Sequence, residues 1–233
     1  MNDVFSIERF LGVIPKLIPY IGISIKIVLY GLVVGSILGI IVAVLRIKRI
    51  PVINQILSVY ISFMRGTSML VQLMLIYYGL PVFLKSLFGI DINSWDKMLF
   101  VYMTFILNEG AFLGELFRAA IESVPVDQTE AGYSVGLTGP QTFIHIVLPQ
   151  AVKTAIPGYG VDIIGMFHNT SIAFTLGVVD LVGRAKTLGT ASGHELEAYA
   201  FVALIYIVIS ILLRLLFYVL DKKYSFGREG VKS

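Results

Sequence analysis

The chain has 233 residues, 57% of them hydrophobic and 14% charged, and a mean hydropathy of +0.86, whereas an ordinary soluble domain is about 25% charged. This composition describes a polytopic membrane protein in contact with lipid. With no cysteine, disulfides, thiolate metal sites and a cysteine nucleophile are excluded, and the net charge of +3 sits in short clusters at the ends of apolar runs, so nucleic-acid binding has no support.

Residues 4–17 alternate apolar positions with Glu8, Arg9 and Lys16 and are closed by Pro15 and Pro19. This predicts an amphipathic helix lying in the membrane interface, residues 1–19, ahead of the transmembrane part. The N-terminus lacks the positive, apolar and cleavage regions of a signal peptide and is expected to be retained. A first span is predicted over residues 21–45, close to the ~20 needed to cross hydrocarbon. Its Gly31, Gly35 and Gly39 form a ridge that lets another helix approach closely. Arg46, Lys48 and Arg49 end it and mark the cytoplasmic side by the positive-inside rule. From Pro51 a helical run continues to about residue 83 and contains Arg65, which is costly in hydrocarbon unless paired or in water. Residues 85–97, with Asp91, Asn93 and Trp95, form a mixed-charge linker expected outside. A third span covers residues 98–119 and carries Asn108, Glu109 and Glu115.

Residues 127–149 are polar and turn-rich between two apolar blocks, so they are expected outside the bilayer. Asp127 is predicted to cap one short helix with Glu130 three residues on, and Thr138 with Gln141 to cap a second whose first turn holds Pro140. Gly136 sits at the turn between them. A fourth span, residues 152–167, is interrupted by Pro157, Gly158 and Gly160 and is predicted to be broken, which membranes tolerate only where the backbone is buried in protein or lines a cavity. A polar stretch, residues 180–197, should face outside. The last span, residues 198–220, ends in Asp221, Lys222 and Lys223, and residues 224–233 form a tail. Five crossings put the N-terminus outside and the C-terminus in the cytoplasm.

Glu130 and Ala131, then Gly136, then Ile146, Leu148 and Pro149 stand at the spacings of the EAA signature, and the segment resembles that loop of permease subunits in ATP-binding-cassette (ABC) importers. Gly132 replaces the second Ala of the signature, which loosens that helix by up to about 1 kcal/mol. Arg65-Gly66-Thr67, Val71-Gln72 and Tyr77-Tyr78-Gly79-Leu80-Pro81 resemble the RGTP, VQ and YYGLP stretches of the polar amino acid subgroup, with Ser68 in place of Pro. Asn169-Thr170-Ser171 resembles its (D/N)-T-S-L stretch, with Ile172 in place of Leu. The resemblance implies an all-α, five-helix type I importer (MetI-like) permease domain over residues 20–223. It makes Glu130, Ala131, Gly132, Gly136 and Leu137 part of a coupling helix that docks on an ATPase subunit, and Arg65, Gly66 and Thr67 a structural motif. It further implies two ATPase subunits that bind ATP and Mg, a second permease copy or homologue, an extracytoplasmic binding protein, a bacterial plasma membrane and alternating access, with a lean toward cystine or related amino acids.

The residues themselves agree that energy comes from a partner, because no G-x-x-x-x-G-K-[ST] stretch is present to cradle phosphates. Ser171 and His168 sit in no nucleophile elbow, and His145, His168 and His194 are too dispersed for a metal site. Catalytic and metal sites are therefore not expected. Polar groups inside spans are functional candidates by default. Glu115 and Arg118 read as a structural pair, whereas Glu109 and Asp162 are nearer mid-span and are assigned to the substrate pathway. Asn169, Thr170 and Ser171 are expected to hold a substrate carboxylate through unwound backbone N–H groups, with Asp162 or Glu109 facing its ammonium. An ion-coupled secondary transporter, with Glu109 and Asp162 as proton relays, is the alternative.

Overall fold

A computed structural model describes residues 5–224. Nearly all of the expected cytoplasmic tail lies outside the described residues, as do the first four residues of the expected interfacial helix. Eight helical elements are described: α1 (Ile7–Ile47), α2 (Pro51–Gly66), α3 (Met69–Phe88), α4 (Lys97–Glu122), α5 (Val126–Ser134), α6 (Gly139–Leu176), α7 (Leu181–Ser192) and α8 (Glu195–Tyr224). Four of them, α1, α3, α4 and α8, are each long and apolar enough to cross a membrane, and α6 with α7, bent by 54°, passes the same test as a pair, which gives five when the pair counts as one span.

The expected interfacial helix is not a separate element. Pro15 and Pro19 lie inside α1, which runs unbroken for 41 residues, about 60 Å, or twice the hydrocarbon thickness. An interior proline costs a helix about 3 kcal/mol, and tertiary contacts offset it here. Leu17 is fully buried among Leu181, Ala185, Ala198, Phe201 and Val202, while Glu197 accepts the Ser6 N–H at 3.0 Å and pairs with Arg9 at 3.2 Å. The N-terminal segment is thus packed on α7 and α8.

α1 and α4 form the spine. Gly31, Gly35 and Gly39 are all buried against α4, and a methyl group at Gly35 would lie 2.7 Å from Glu109 Cβ, at Gly39 2.9 Å from Leu113 Cβ. In return α4 offers Gly110 and Gly114, onto which Leu38 and Val42 pack. Two small-residue ridges facing each other let the backbones approach closely, which is how helices gain dispersion contact in lipid without a hydrophobic driving force.

Breaks fall where the sequence does not announce them. The run from Pro51 is interrupted at Thr67, whose φ of −121° and ψ of 156° are extended, and Ser68 then caps α3 by accepting the Leu70 N–H at 3.3 Å. Ser68 thus makes a break without a proline. The predicted break at Pro157, Gly158 and Gly160 does not occur, because all three lie inside the helical stretch Leu148–Asn169. Packing holds that stretch straight: a methyl at Gly158 would lie 2.6 Å from Leu116 Cδ1, and one at Gly160 2.5 Å from Phe217 Cγ. The helix tightens instead into a 3₁₀ end at Thr170–Leu176 and stops at Gly177, with φ of 83°. The predicted span is also longer than expected, since α6 starts at Gly139 and passes through a π-helical turn at Phe143–Val147.

Candidate functional site

The break between α2 and α3 lies beside Asn108, near the midpoint of α4, and therefore at membrane depth. Gln72 makes most of the side-chain bonds to its backbone, with Thr67 Oγ1 on Phe63 O at 2.7 Å and Asn108 Nδ2 on Met64 O at 3.5 Å. Gln72, 1% exposed, donates to Met64 O at 2.8 Å, Thr67 O at 3.1 Å and Thr67 Oγ1 at 3.0 Å, and accepts from Asn108 Nδ2 at 2.8 Å. The carbonyls left open where α2 ends would otherwise be orphaned in a low-dielectric interior. Gln72 appeared in the sequence only as part of a resembled stretch. The signal that could have found it is a lone amide in an apolar run close after Gly66-Thr67-Ser68.

Around this break three charged groups meet. Arg65 ends α2 and stands over the Phe112 ring, its guanidinium carbon 5.5 Å from the centroid. Asp162, on α6, is near enough to Arg65 to feel its charge, and Glu109, on α4, is near enough to Asp162 to feel that carboxylate. Glu109 is 5% exposed and its Oε2 has no hydrogen-bond partner among the described residues. An exposed cation, a half-buried carboxylate and a buried carboxylate with an open acceptor therefore lie within electrostatic reach of one another in series, Arg65 to Asp162 to Glu109, beside interrupted helical backbone, an arrangement able to hold a small molecule of mixed charge. Of the residues read from the sequence as a structural motif, Arg65 and Gly66 are the last two of α2 and Thr67 is the extended residue of the break.

Asn169, Thr170 and Ser171 are not part of it. They lie seven to nine residues beyond Asp162, about 10–13 Å along the helix. The proposed use of free backbone N–H groups there does not hold. These residues lie inside α6, where its α-helical part passes into 3₁₀ turns, and the Thr170 N–H is already given to Phe167 O; Thr170 Oγ1 donates to Phe167 O at 2.9 Å and Ser171 Oγ to His168 O at 3.1 Å. His168 stacks on Tyr206, with ring centroids 5.4 Å apart, and its Nε2 lies 3.0 Å from Ser210 Oγ. The stretch is thus tied to α8.

At the opposite end of the bundle, α5 and the start of α6 form the predicted two-helix loop. The N-cap of α5 is Pro125, so Asp127 sits in the first turn and favours the helix through its dipole instead of a capping bond. Thr138 and Gln141 do form the capping box, the Gln141 side chain accepting the Thr138 N–H at 2.9 Å. Gly136 has φ of 84°, a left-handed conformation that disfavours other residues. Gly132 is buried because a methyl there would meet Thr142 Cγ2 at 2.6 Å. The glycine that weakens α5 locally is what lets α5 seat on α6. Glu130, Ala131 and Gly136 are exposed and Leu137 is half-buried, beside an outward-facing Val126, Tyr133 and Val135, 68%, 54% and 76% exposed. Apolar groups so exposed on a polar loop suit docking onto another protein. Above it, Arg118 pairs with Glu115 at 2.6 Å, and Arg46 reaches Glu115 at 3.4 Å, Asn54 Oδ1 at 2.7 Å and Ser58 Oγ at 2.6 Å. Arg46 thus ties α1 to α4 through Glu115 and to α2 through Asn54 and Ser58.

A five-crossing helical bundle with a charged cluster at mid-depth and a surface-exposed helical loop at one end is the architecture of a membrane permease. The family of inner membrane components of binding-protein-dependent transport systems matches residues 31–226, and the chain belongs to it. It is 40% identical to the L-cystine transport system permease protein TcyL of Bacillus subtilis (strain 168), over 96% of this chain and 93% of that one. Among solved structures it superposes on an amino acid ABC transporter crystallised with histidines, with a TM-score of 0.82 and 26% identity over 94% of this chain and 99% of that chain. It also superposes on the MetNI methionine ABC transporter, with a TM-score of 0.68 and 14% identity over 94% and 99%, a likeness of fold. The type I importer fold expected from the resemblance is the fold observed. Membership in a binding-protein-dependent transport family leaves the ion-coupled secondary transporter without support.

Proposed function

We propose that this chain is the permease subunit of an ATP-driven importer of polar amino acids, with cystine or a related amino acid as cargo, and that Arg65, Asp162 and Glu109 form its substrate station. The observation that carries the reading is the convergence of one cation and two carboxylates beside an interrupted helix at membrane depth. A zwitterionic amino acid presents a carboxylate and an ammonium, and each needs an opposite charge once water is removed. Arg65 meets the carboxylate and Asp162 with Glu109 the ammonium, a role for Arg65 that replaces the one first given to the Asn169 stretch. Asn169, Thr170 and Ser171 line the pathway further along α6. The relative TcyL is named for cystine, which has two zwitterionic ends and fits a site of mixed charge.

In this reading two such subunits, or one and a homologue, enclose the pathway in a bacterial plasma membrane. Two ATPase subunits carrying ATP and Mg dock on Glu130, Ala131, Gly132, Gly136 and Leu137 from the cytoplasm, and an extracytoplasmic binding protein delivers substrate. The N-terminus is outside and the C-terminus inside. The test is uptake of labelled amino acids by proteoliposomes holding the whole complex, comparing Arg65→Gln, Asp162→Asn and Glu109→Gln with the parent. Removing one partner of a buried charge contact costs about 2–5 kcal/mol, roughly 30-fold or more in apparent affinity. Unchanged affinity and rate in all three, with the complex intact, would place the station elsewhere.

A further inference from the structure

A cavity of about 640 Å³ opens between α1, α4 and the first half of α6, toward the coupling end. Its walls include Ile40, Val44, Phe117, Ile121, Ala155 and Ile156. The polar groups at its inner end are Ser36 and Tyr159, whose hydroxyls bond to each other at 2.9 Å. Their mutual bond uses one of the two O–H donors, and the rest of the wall is aliphatic or aromatic, so a zwitterion or a file of water would be poorly solvated there. The cavity is therefore not a continuation of the substrate station.

At its mouth the chemistry changes. A second cleft, about 560 Å³, shares Ile121 and Phe143 with the first and is lined by Arg49, Glu122 and Tyr133. Glu122 is already paired with Arg118 at 2.5 Å, whereas Arg49, in the turn after α1, has no carboxylate partner among the described residues. An apolar cavity that adjoins a cleft carrying the exposed Arg49 guanidinium matches one kind of guest, a hydrocarbon chain with an anion at its head. Basic pockets between membrane helices on the cytoplasmic side bind phospholipid head groups in this way.

We propose that the α1–α4–α6 cavity holds one acyl chain of a cytoplasmic-leaflet phospholipid, with the lipid phosphate on Arg49. The bound chain fills the space beside the helix that joins the coupling loop to Asp162, so the lipid braces the segment that transmits docking to the substrate station. The leaflet rests on the orientation proposed above; the site itself does not.

The experiment is photocrosslinking of the whole complex in vesicles of phosphatidylglycerol carrying a photoreactive group on the acyl chain, with adducts mapped by peptide mass spectrometry. The expected result is adducts concentrated at residues 36–44 and 143–159, at one lipid per permease copy. Arg49→Gln lowers that yield about fivefold, the effect of one arginine near an anionic head group. Adducts spread over the outward faces of α1 and α8 in proportion to exposure, with none in the cavity segments, overturn the proposal in the parent chain without reference to any variant. A disulfide formed between copies through cysteines placed at Val152 and Ile40 also overturns it, because the occupant is then a second permease. Aqueous labelling of a cysteine at Gly139 reads orientation separately: labelling from outside, with cavity adducts retained, would keep the lipid site and reverse only the leaflet.

Discussion

Replacing Gln72 with leucine keeps the side-chain bulk and removes the amide that holds the α2–α3 break together. The loss involves three partners: the Met64 carbonyl, Thr67 through its carbonyl and hydroxyl, and Asn108. Polar contacts between membrane helices average about 0.6 kcal/mol each, so three partners give about 2 kcal/mol. Two of them, Asn108 at 7% exposed and the Met64 carbonyl, sit in the interior and would keep only the 3.5 Å contact between them, and a buried group left short of a partner adds about 1–3 kcal/mol. The expected destabilisation is about 3–5 kcal/mol, and the double variant with Asn108→Leu should lose less than the sum because it removes one orphan. The assay is a titration with denaturing detergent followed by circular dichroism on the purified complex. A Gln72→Leu variant within about 0.5 kcal/mol of the parent would refute the role assigned to the amide. Additivity with Asn108→Leu would refute their coupling.

Three further outcomes are expected. Alanine at Gly35 or Gly39 forces a methyl to within 2.9 Å or less of α4 and should cost about 1–3 kcal/mol in the same titration. Alanine at Gly22, where nothing lies within 4 Å, should be neutral, and the reverse order would dismiss the close α1–α4 approach. Gly136→Arg and Glu130→Lys should assemble but lose substrate-stimulated ATP hydrolysis in the reconstituted importer; since open space surrounds Gly136 and only its φ of 84° opposes a side chain, Gly136→Asn should retain it. In the loop before α4, Lys85, hydrogen-bonded at 2.8 Å, and then the Asn93 backbone hold the Asp91 carboxyl at about 2, below its usual 3.8. A depressed carboxylate contributes stability above its unfolded value and loses it only as pH falls through the folded one. Trp95 fluorescence should therefore stay constant from about pH 7 to pH 4 and change below about pH 3; a midpoint above about 4 would refute the pairing.

Much of this protein was legible in its residues because membranes impose few solutions. Long apolar runs in hydrocarbon must be helices, so the number of crossings followed from composition alone. The two-helix loop after α4 followed from local chemistry: Thr138 and Gln141 cap the start of α6 around Pro140, and Gly136 takes the left-handed turn before it. The glycine ridge of α1 was visible as a spacing, although only the fold showed that Gly110 and Gly114 answer it from α4.

Tertiary structure decided where helices break. Proline and glycine at positions 157, 158 and 160 suggested an interruption by propensity, but Leu116 and Phe217 fill the space over the two glycines and the helix continues. Pro15 and Pro19 were overridden by the packing of Leu17 in the same way. The actual break at Thr67 and Ser68 carries no proline, and is stable because Gln72, five residues on in sequence, and Asn108, on another helix, satisfy groups that the break exposes. Inside a helix a glycine costs about 1 kcal/mol and a proline about 3 kcal/mol. A buried contact across helices can match such a cost, and the chain does not announce in its own order which residues will meet. For that reason Glu109, Asp162 and Arg65 were each suspect from their charge in an apolar run, while their meeting at one depth was a property of the fold.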